Sequence, residues 1–307
     1  MKVAVTGATG FVGTRLVERL QAEGHQVVAL TRSLERGERV FPKTAFPNVT
    51  VVAYSPLESG EWQGAIACDA VVNLAGAGIA DERWTPERKQ EIIDSRETAT
   101  RKIVEAIAQA NPKPSVLVSS SAIGYYGSSE TATFDESSPA GDDFLAQVCQ
   151  KWEAAAQNVT DSGTRLVILR TGIVLGMGGA VAKMVLPFKL FAGGPIGTGR
   201  QWFSWIHRDD LVSLILKAIT DSSMTGTFNA TAPQPVRMAE FCTVMGAVMN
   251  RPSWLPVPAF ALEALLGDAA QVVLTGQQVL PKHTQETGFQ YQYPAVKQAL
   301  EDVLKEA

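Results

Sequence analysis

The chain has 307 residues, 46% of them hydrophobic and 19% charged, with a net charge of −4. That is an ordinary globular composition, with ample chain for a core in one large or two unequal domains. The mild acidity excludes a nucleic-acid face, which is basic, and no apolar run reaches the length of a bilayer span. Three scattered cysteines, Cys68, Cys149 and Cys242, give neither a metal site nor a disulfide framework. Glycines interrupt the first apolar run too early for a signal peptide, so the expected setting is soluble, reducing and cytoplasmic.

Lys2 to Thr6 is apolar in the manner of a parallel strand buried on both faces. Gly7, Gly10 and Gly13 follow at a Gly-x-x-Gly-x-x-Gly spacing, and Phe11, Val12, Leu16, Val17 and Leu20 then recur at helical spacing. Strand, glycine turn and helix predict a dinucleotide-binding unit. Gly7 permits a tight turn, Gly10 lets backbone approach a pyrophosphate, and Gly13 lets the helix pack close to the strand. The helix N-terminus offers free N–H groups and a positive dipole end to the anion. Thr9, Phe11 and Val12 complete the expected contact set in this loop.

Gln26 to Thr31 reads as the second strand. An acid at its end would bind the 2′-hydroxyl of NAD; this chain has Arg32-Ser33 and no acid. An arginine fork suits a phosphate, so the expected cofactor is NADP(H), with Arg32 and Ser33 on the 2′-phosphate and Arg36 and Arg39 nearby. Val49 to Ala53 and Asp69 to Leu74 read as strands three and four. The fourth runs into Asn73-Leu74-Ala75-Gly76, whose small residues leave room for a cofactor, and Asn73, Ala75 and Gly76 are expected contacts. Thr85 and Pro86 read as the N-cap and first residue of one long helix through Ile92, Ile93, Ile103, Val104 and Ile107, with Arg96 inside it in an open role.

Ser115 to Ser119 reads as the fifth strand, with Ser119, Ser120 and Ser121 at its end facing the crevice. A helix from about 142 to 158 carries Phe144, Gln147, Lys151 and Glu153, and Arg165 to Arg170 reads as the sixth strand. This series predicts an α/β fold: a Rossmann-type doubly wound parallel sheet over residues 1–171. Past Thr171 come glycine-rich loops at 172–179 and 187–199, then Trp202 to Asp210, with Asp209 and Asp210 as expected caps of the next helix. A short strand at 227–231 and short helices from Met238 follow. Residues 172–307 are expected to form a smaller, mostly helical substrate-covering region, with interleaving allowed.

The glycine loop, Asn73-Leu-Ala-Gly76, Ser119-Ser-Ser121, Lys151 and Trp205-Ile-His207-x-x-Asp210 resemble the extended short-chain dehydrogenase/reductase superfamily, the NAD-dependent epimerase/dehydratase group. Gly76-Ala-Gly-Ile79, Arg83-Trp84, Ser95-Arg96, Tyr125-Tyr-Gly127 and Ser204-Trp-Ile-His207 resemble an atypical branch of it, often labelled epimerase-family or cell-division-inhibitor-like. The tail from about Pro252 is similar to that branch's C-terminal extension. The resemblance implies a Rossmann fold and NADP(H), and no agreed substrate.

It also implies a catalytic Ser, Tyr and Lys, the last two in a Tyr-x-x-x-Lys helix. Lys151 stands at the expected distance after the serines, but four residues earlier is Gln147, which cannot exchange a proton near neutral pH. Three readings stay open: Tyr125 or Tyr126 as the acid, His207 or a carboxylate as the acid, or no chemistry of this type. The expected catalytic set is Ser121, Tyr125 and Lys151, with Ser119 and Lys151 also at the cofactor. The expected function is an NADP(H)-dependent oxidoreductase or nucleotide-sugar-epimerase-like enzyme of a small carbonyl or hydroxyl compound. A non-catalytic NADP(H)-binding regulatory or scaffold protein is the alternative. The expected partner is a small-molecule substrate, with no nucleic acid and no membrane; a homodimer rests on superfamily analogy alone.

Overall fold

The structure is a computed structural model that describes residues 1–306. Seven parallel strands form its sheet: β1 (Lys2–Thr6), β2 (Gln26–Thr31), β3 (Val49–Ala53), β4 (Ala70–Asn73), β5 (Val116–Ala122), β6 (Arg165–Thr171) and β7 (Gly226–Ala230). Their spatial order is β7-β6-β5-β4-β1-β2-β3. The order reverses between β1 and β4, where Val3 pairs with Val27 on one side and Ala70 on the other. At such a switch point the connections leave to opposite faces and a crevice opens beyond the strands' carboxyl ends.

Both faces of the sheet are covered, which is why its strands read as continuous apolar runs. Val3 and Val5 face a core with Leu16, Val17 and Leu20 of α1 (Phe11–Ala22) and Leu211, Ile215 and Ile219 of α7 (Arg208–Thr220). Ala4, one residue out of phase, faces the opposite core with Leu30, Val71, Leu117, Ile103 and Ile107. Strand β7 lies beyond residue 172 in sequence and pairs with β6 from Gly226↔Val167 to Ala230↔Thr171, so the chain returns to the sheet after its first excursion.

Two elements differ from expectation. The long helix after Pro86 is two, α3 (Pro86–Asp94) and α4 (Glu97–Gln109), broken at Ser95-Arg96. The loop after β4 takes the groups at the break: Ser95 Oγ accepts from Ala77 N, and Arg96 Nη2 donates to Ala77 O. Strand β5 runs on to Ala122, with Ser119 opposite Ile168, Ser120 opposite Leu169 and Ser121 opposite Arg170. The serines are thus inside the strand rather than past it, and Ser119 and Ser121 share a face that Ser120 does not.

A third core gathers Leu175, Phe203 and Trp205 with α6 (Ala180–Lys189), α8 (Met238–Met249) and the last helix, Val296–Val303. Residues Gln278–Val279 pair with Thr133–Phe134, which ties the tail to the loop after β5. Asp209 and Asp210 do not cap α7 as expected. His207 does, its Nδ1 accepting from Asp209 N. Asp209 instead holds Arg15 of α1 bidentately at 2.7 and 2.9 Å, and buried Asp210 accepts from Gln292 N and Tyr293 N. No helix among the described residues is long and apolar enough to cross a membrane.

Candidate functional site

A cleft of about 430 Å³ opens at the switch point, lined by Gly7, Thr9 and Gly10 after β1, Arg32, Ser33 and Arg36 after β2, and Ala75 to Ala77 after β4. Gly7 has φ +65°, and a Cβ there would meet Leu74 C at 3.0 Å. Gly13 is not in the cleft; its role is packing, since a Cβ there would stand 2.2 Å from Gly7 O. No side chain caps α1 at Gly10 and no acid stands in its first turn, so its leading N–H groups and dipole face the cleft without a resident anion. The donors and the close backbone approach fit a dinucleotide pyrophosphate. Phe11 and Val12 are not in the cleft wall. Phe11 packs instead under the loop after β6, where Cβ atoms at Gly178 and Gly179 would meet its ring at 3.2 and 3.0 Å.

At the far end of the cleft Arg32 and Arg36 are exposed, and neither forms an ion pair among the described residues. Ser33 caps α2 (Leu34–Val40), accepting from Arg36 N, so its hydroxyl proton is still available to donate. Arg39 is engaged with Glu35 at 2.6 Å and does not line the cleft. Asn73 does not line it either. It is 1% exposed, accepts from Thr6 Oγ1 at 2.7 Å and donates to Thr100 at 2.9 Å. Thr6 in turn accepts from Leu74 N and Ala75 N, so Asn73 sets the path of the loop that carries Ala75 and Gly76. Arg96 backs the same loop: its Cζ would be 3.1 Å from a Cβ on Gly76, and it lies over the Trp152 ring. Burial holds Arg96 below the ordinary arginine value.

Beyond the cleft wall, around the carboxyl end of β5, the structure does not bring the expected trio together; Ser121, Tyr125 and Lys151 do not line the cleft. Lys151 and Gln147 lie exposed on the outer face of α5 (Phe144–Gln157). The pair four apart that faces β5 is Cys149 and Glu153. Cys149 Sγ donates to Ala122 O, and Ser121 Oγ donates to Glu153 Oε1 at 2.6 Å. Glu153 also holds Arg170 of β6 through two 2.8 Å bonds. Arg170 donates to the Tyr126 hydroxyl at 3.0 Å, and Tyr126 donates to Asn229 of β7 at 2.7 Å. Burial works against the Arg170 charge, but Glu153 outweighs it and holds the guanidinium above its ordinary value. Burial pushes Tyr126 up to about 12 and the Cys149 thiol up to about 11, so both stay protonated at neutral pH. Tyr125 lies outside this chain of bonds: Arg170 stacks on its ring at 3.3 Å, and its hydroxyl has no hydrogen-bond partner among the described residues. Ser119 Oγ is buried without a partner.

No sequence motif marks Arg170, Asn229 or Glu153 as site residues. The phase of α5 does mark Glu153. Ala146, Cys149, Trp152 and Ala156 form its buried stripe, which Glu153 borders, while Gln147, Gln150 and Lys151 form the wet one.

The profile of the NAD dependent epimerase/dehydratase family matches residues 3–230, the span that builds all seven strands. The chain belongs to that family. A domain of unknown function, DUF1731, matches residues 257–303. The chain is 51% identical over 309 residues to the chloroplastic SDR39U1 homolog of Arabidopsis thaliana, an epimerase family protein, covering 99% of this chain and 87% of the relative. It is 39% identical to epimerase family protein YfhF of Bacillus subtilis, covering 99% and 98%. The crystal structure of human SDR39U1 with NADPH superposes with a TM-score of 0.87 at 37% identity, covering 100% of both chains.

The helix face that meets Ser121 carries Cys149 and Glu153, while Lys151 and Gln147, the pair expected from motif spacing, lie on the exposed face. A second cavity, about 600 Å³, adjoins the cofactor cleft. It lies between Ile79 to Asp81, the loop around Gly178 and Gly179, α6, and the residues from Val257 to Thr275.

Proposed function

We propose that this family member is an NADP(H)-dependent oxidoreductase or epimerase-like enzyme acting on a small carbonyl or hydroxyl compound. The observation that carries the cofactor is the ribose end of the cleft, where Arg32 and Arg36 stand beside Ser33, while Glu35 is held by Arg39 and does not line the cleft. The NADPH in the crystal structure of human SDR39U1 supports the same choice. Gly7, Gly10 and the α1 N-terminus would hold the pyrophosphate, Arg32 and Ser33 the 2′-phosphate, and Ala75 and Gly76 the ribose. When bound, NADP(H) supplies or receives the hydride.

The chain's own residues manage the proton. Glu153, paired with Arg170, accepts the Ser121 proton, so Ser121 presents lone pairs and is suited to accept from a hydroxyl rather than to donate to an oxyanion. Tyr125 is the acid–base group, because its hydroxyl is the tyrosine hydroxyl of this loop not consumed by Arg170 or Asn229. Lys151, pointing to solvent, has no part. A second reading, an NADP(H)-binding protein without turnover, is favoured by Cys149 and Glu153, not a Tyr and a Lys, on the helix face that meets Ser121.

Calorimetric titration with NADPH, NADH and adenine 2′,5′-bisphosphate, beside Arg32→Ala, tests the cofactor. A charge-assisted phosphate contact is worth about 1.5–3 kcal/mol, so the variant should lose about 10- to 150-fold for NADPH and little for NADH. Equal affinity of the unaltered chain for the two nucleotides would sink the proposal. Turnover abolished in Tyr125→Phe would separate the enzyme from the scaffold.

A further inference from the structure

We infer that the substrate is a predominantly apolar, uncharged molecule bearing a single carbonyl or hydroxyl, and not a nucleotide sugar. The inference rests on the NADP(H) reading of the adjoining cleft and concerns the 600 Å³ cavity. That volume lies within the range of about 300–1,000 Å³ that holds drug-sized ligands.

The cavity wall is built from Met184, Phe188, Ile196, Phe203, Val257 and Val272, with further aliphatic groups between them. Its charged lining residues are Asp81 and Lys183, exposed and 3.4 Å from each other. No arginine lines it. A sugar nucleotide brings a diphosphate with two negative charges, which needs cations or a fan of donors in a desolvated pocket. The cation on offer here is already matched by a carboxylate.

The polar side chains of the wall are turned into the framework. Gln201 Nε2 donates to Ile196 O and Val273 O, Trp202 Nε1 to Glu130 O, and Thr275 Oγ1 to Gln271 O. Gln201 Oε1 is left as a single buried acceptor without a partner. Such a wall rewards apolar area and offers little to a sugar ring, whose hydroxyls would each lose water for nothing.

The cavity and the cofactor cleft share one loop as a wall. Ala75, Gly76 and Ala77 line the cofactor side of one loop, and Ile79, Ala80 and Asp81 line the cavity side of the same loop. Gly178 and Gly179 line the cavity where they cover Phe11, the first residue of α1. An occupant would lie across that loop from the cofactor, with its apolar body directed toward α6 and the 257–275 segment.

The test uses the full chain saturated with NADP⁺ and the neutral fluorophore N-phenyl-1-naphthylamine, displaced by methyl ketones from 2-hexanone to 2-dodecanone and by UDP-glucose. The expected result is probe binding and ketone affinity rising about fourfold per methylene, which is the hydrophobic gain per buried CH₂, with no displacement by UDP-glucose. Met184→Arg, and Val273→Arg as a second variant, should weaken probe and ketones by about tenfold or more, since each puts a charge in the apolar wall. Phe260→Ser and Leu265→Ser, on the exposed apolar patch outside the cavity, should leave probe binding intact. Displacement by UDP-glucose, a flat ketone series, absence of probe binding, or binding lost in Phe260→Ser but kept in Met184→Arg would each overturn the inference. A separate NADPH titration of the unaltered chain reports on the cofactor reading by itself, so the two failures are distinguishable.

Discussion

Replacing Glu153 by glutamine tests whether the bonds joining α5, β5, β6 and β7 are a structural unit. The side chains of Arg170 and Glu153 are 6% and 12% exposed, so both charges are largely out of water. Glu153 accepts three bonds, at 2.6 Å from Ser121 and at 2.8 Å twice from Arg170. Glutamine keeps one acceptor oxygen and turns an NH₂ group toward donors, which leaves the guanidinium buried without a counter-charge. Removing one partner of a buried pair costs about 3–5 kcal/mol. At about 2 °C per kcal/mol for a chain of this size, the melting temperature should fall by about 6–10 °C in a thermal melt followed by circular dichroism. The double variant Glu153→Met/Arg170→Met removes both charges and keeps volume, and should lose far less than the sum of the single losses. A fall under about 2 °C for Glu153→Gln, as for an exposed ion pair, would refute the reasoning. So would a double variant as damaged as the two singles added.

Gly13→Ala should cost about 2 kcal/mol or more and weaken NADPH binding, because the new methyl lands 2.2 Å from Gly7 O and forces α1 off its strand. Melts and titration check this against Gly64→Ala, which has open space at its Cβ. Burial lowers His207 from 6.5, with Asp209 and Asp302 opposing, so on acidification the unfolded chain takes up this proton first. Stability present above about pH 6.5 should therefore be lost as the pH falls below it toward the folded value. His207→Asn, which keeps an acceptor for Asp209 N, should flatten that part of the stability curve, and an unchanged slope between pH 7 and 5 would contradict it. Lys151→Ala should leave the NADPH dissociation constant within about twofold, since the side chain it removes points to solvent; a larger loss in titration would restore it to the site.

The cofactor half of the site was legible because it is local. Strand, turn and helix follow one another within the first 22 residues, so the three glycines, their steric duties and the uncapped helix end can be derived without knowing where any distant residue lies. Arg32 and Ser33 were legible for a similar reason: they follow β2, and the topology fixes which cleft the end of that strand faces. The break at Ser95-Arg96 was not, because apolar periodicity runs through it and the competing bonds come from Ala77, about twenty residues earlier.

The chemical half depends on phase and on distance along the chain. Lys151 and Glu153 are two residues apart, about 200° around a helix, so motif spacing alone cannot say which one meets Ser121. The packing of α5 on β5 decides it, burying Cys149 and aiming Glu153 at the strand. Arg170, Tyr126 and Asn229 meet across three strands and a loop because parallel pairing sets β5, β6 and β7 in register. By itself the sequence determined that this chain builds a dinucleotide cleft with a basic ribose end, through steric and electrostatic demands satisfied within a few residues. Only the tertiary structure decided that Glu153, paired with Arg170, and not Lys151 meets Ser121, and that the adjoining cavity is apolar. Both depend on side chains up to about 200 residues apart, which come into contact when the layers pack and not before.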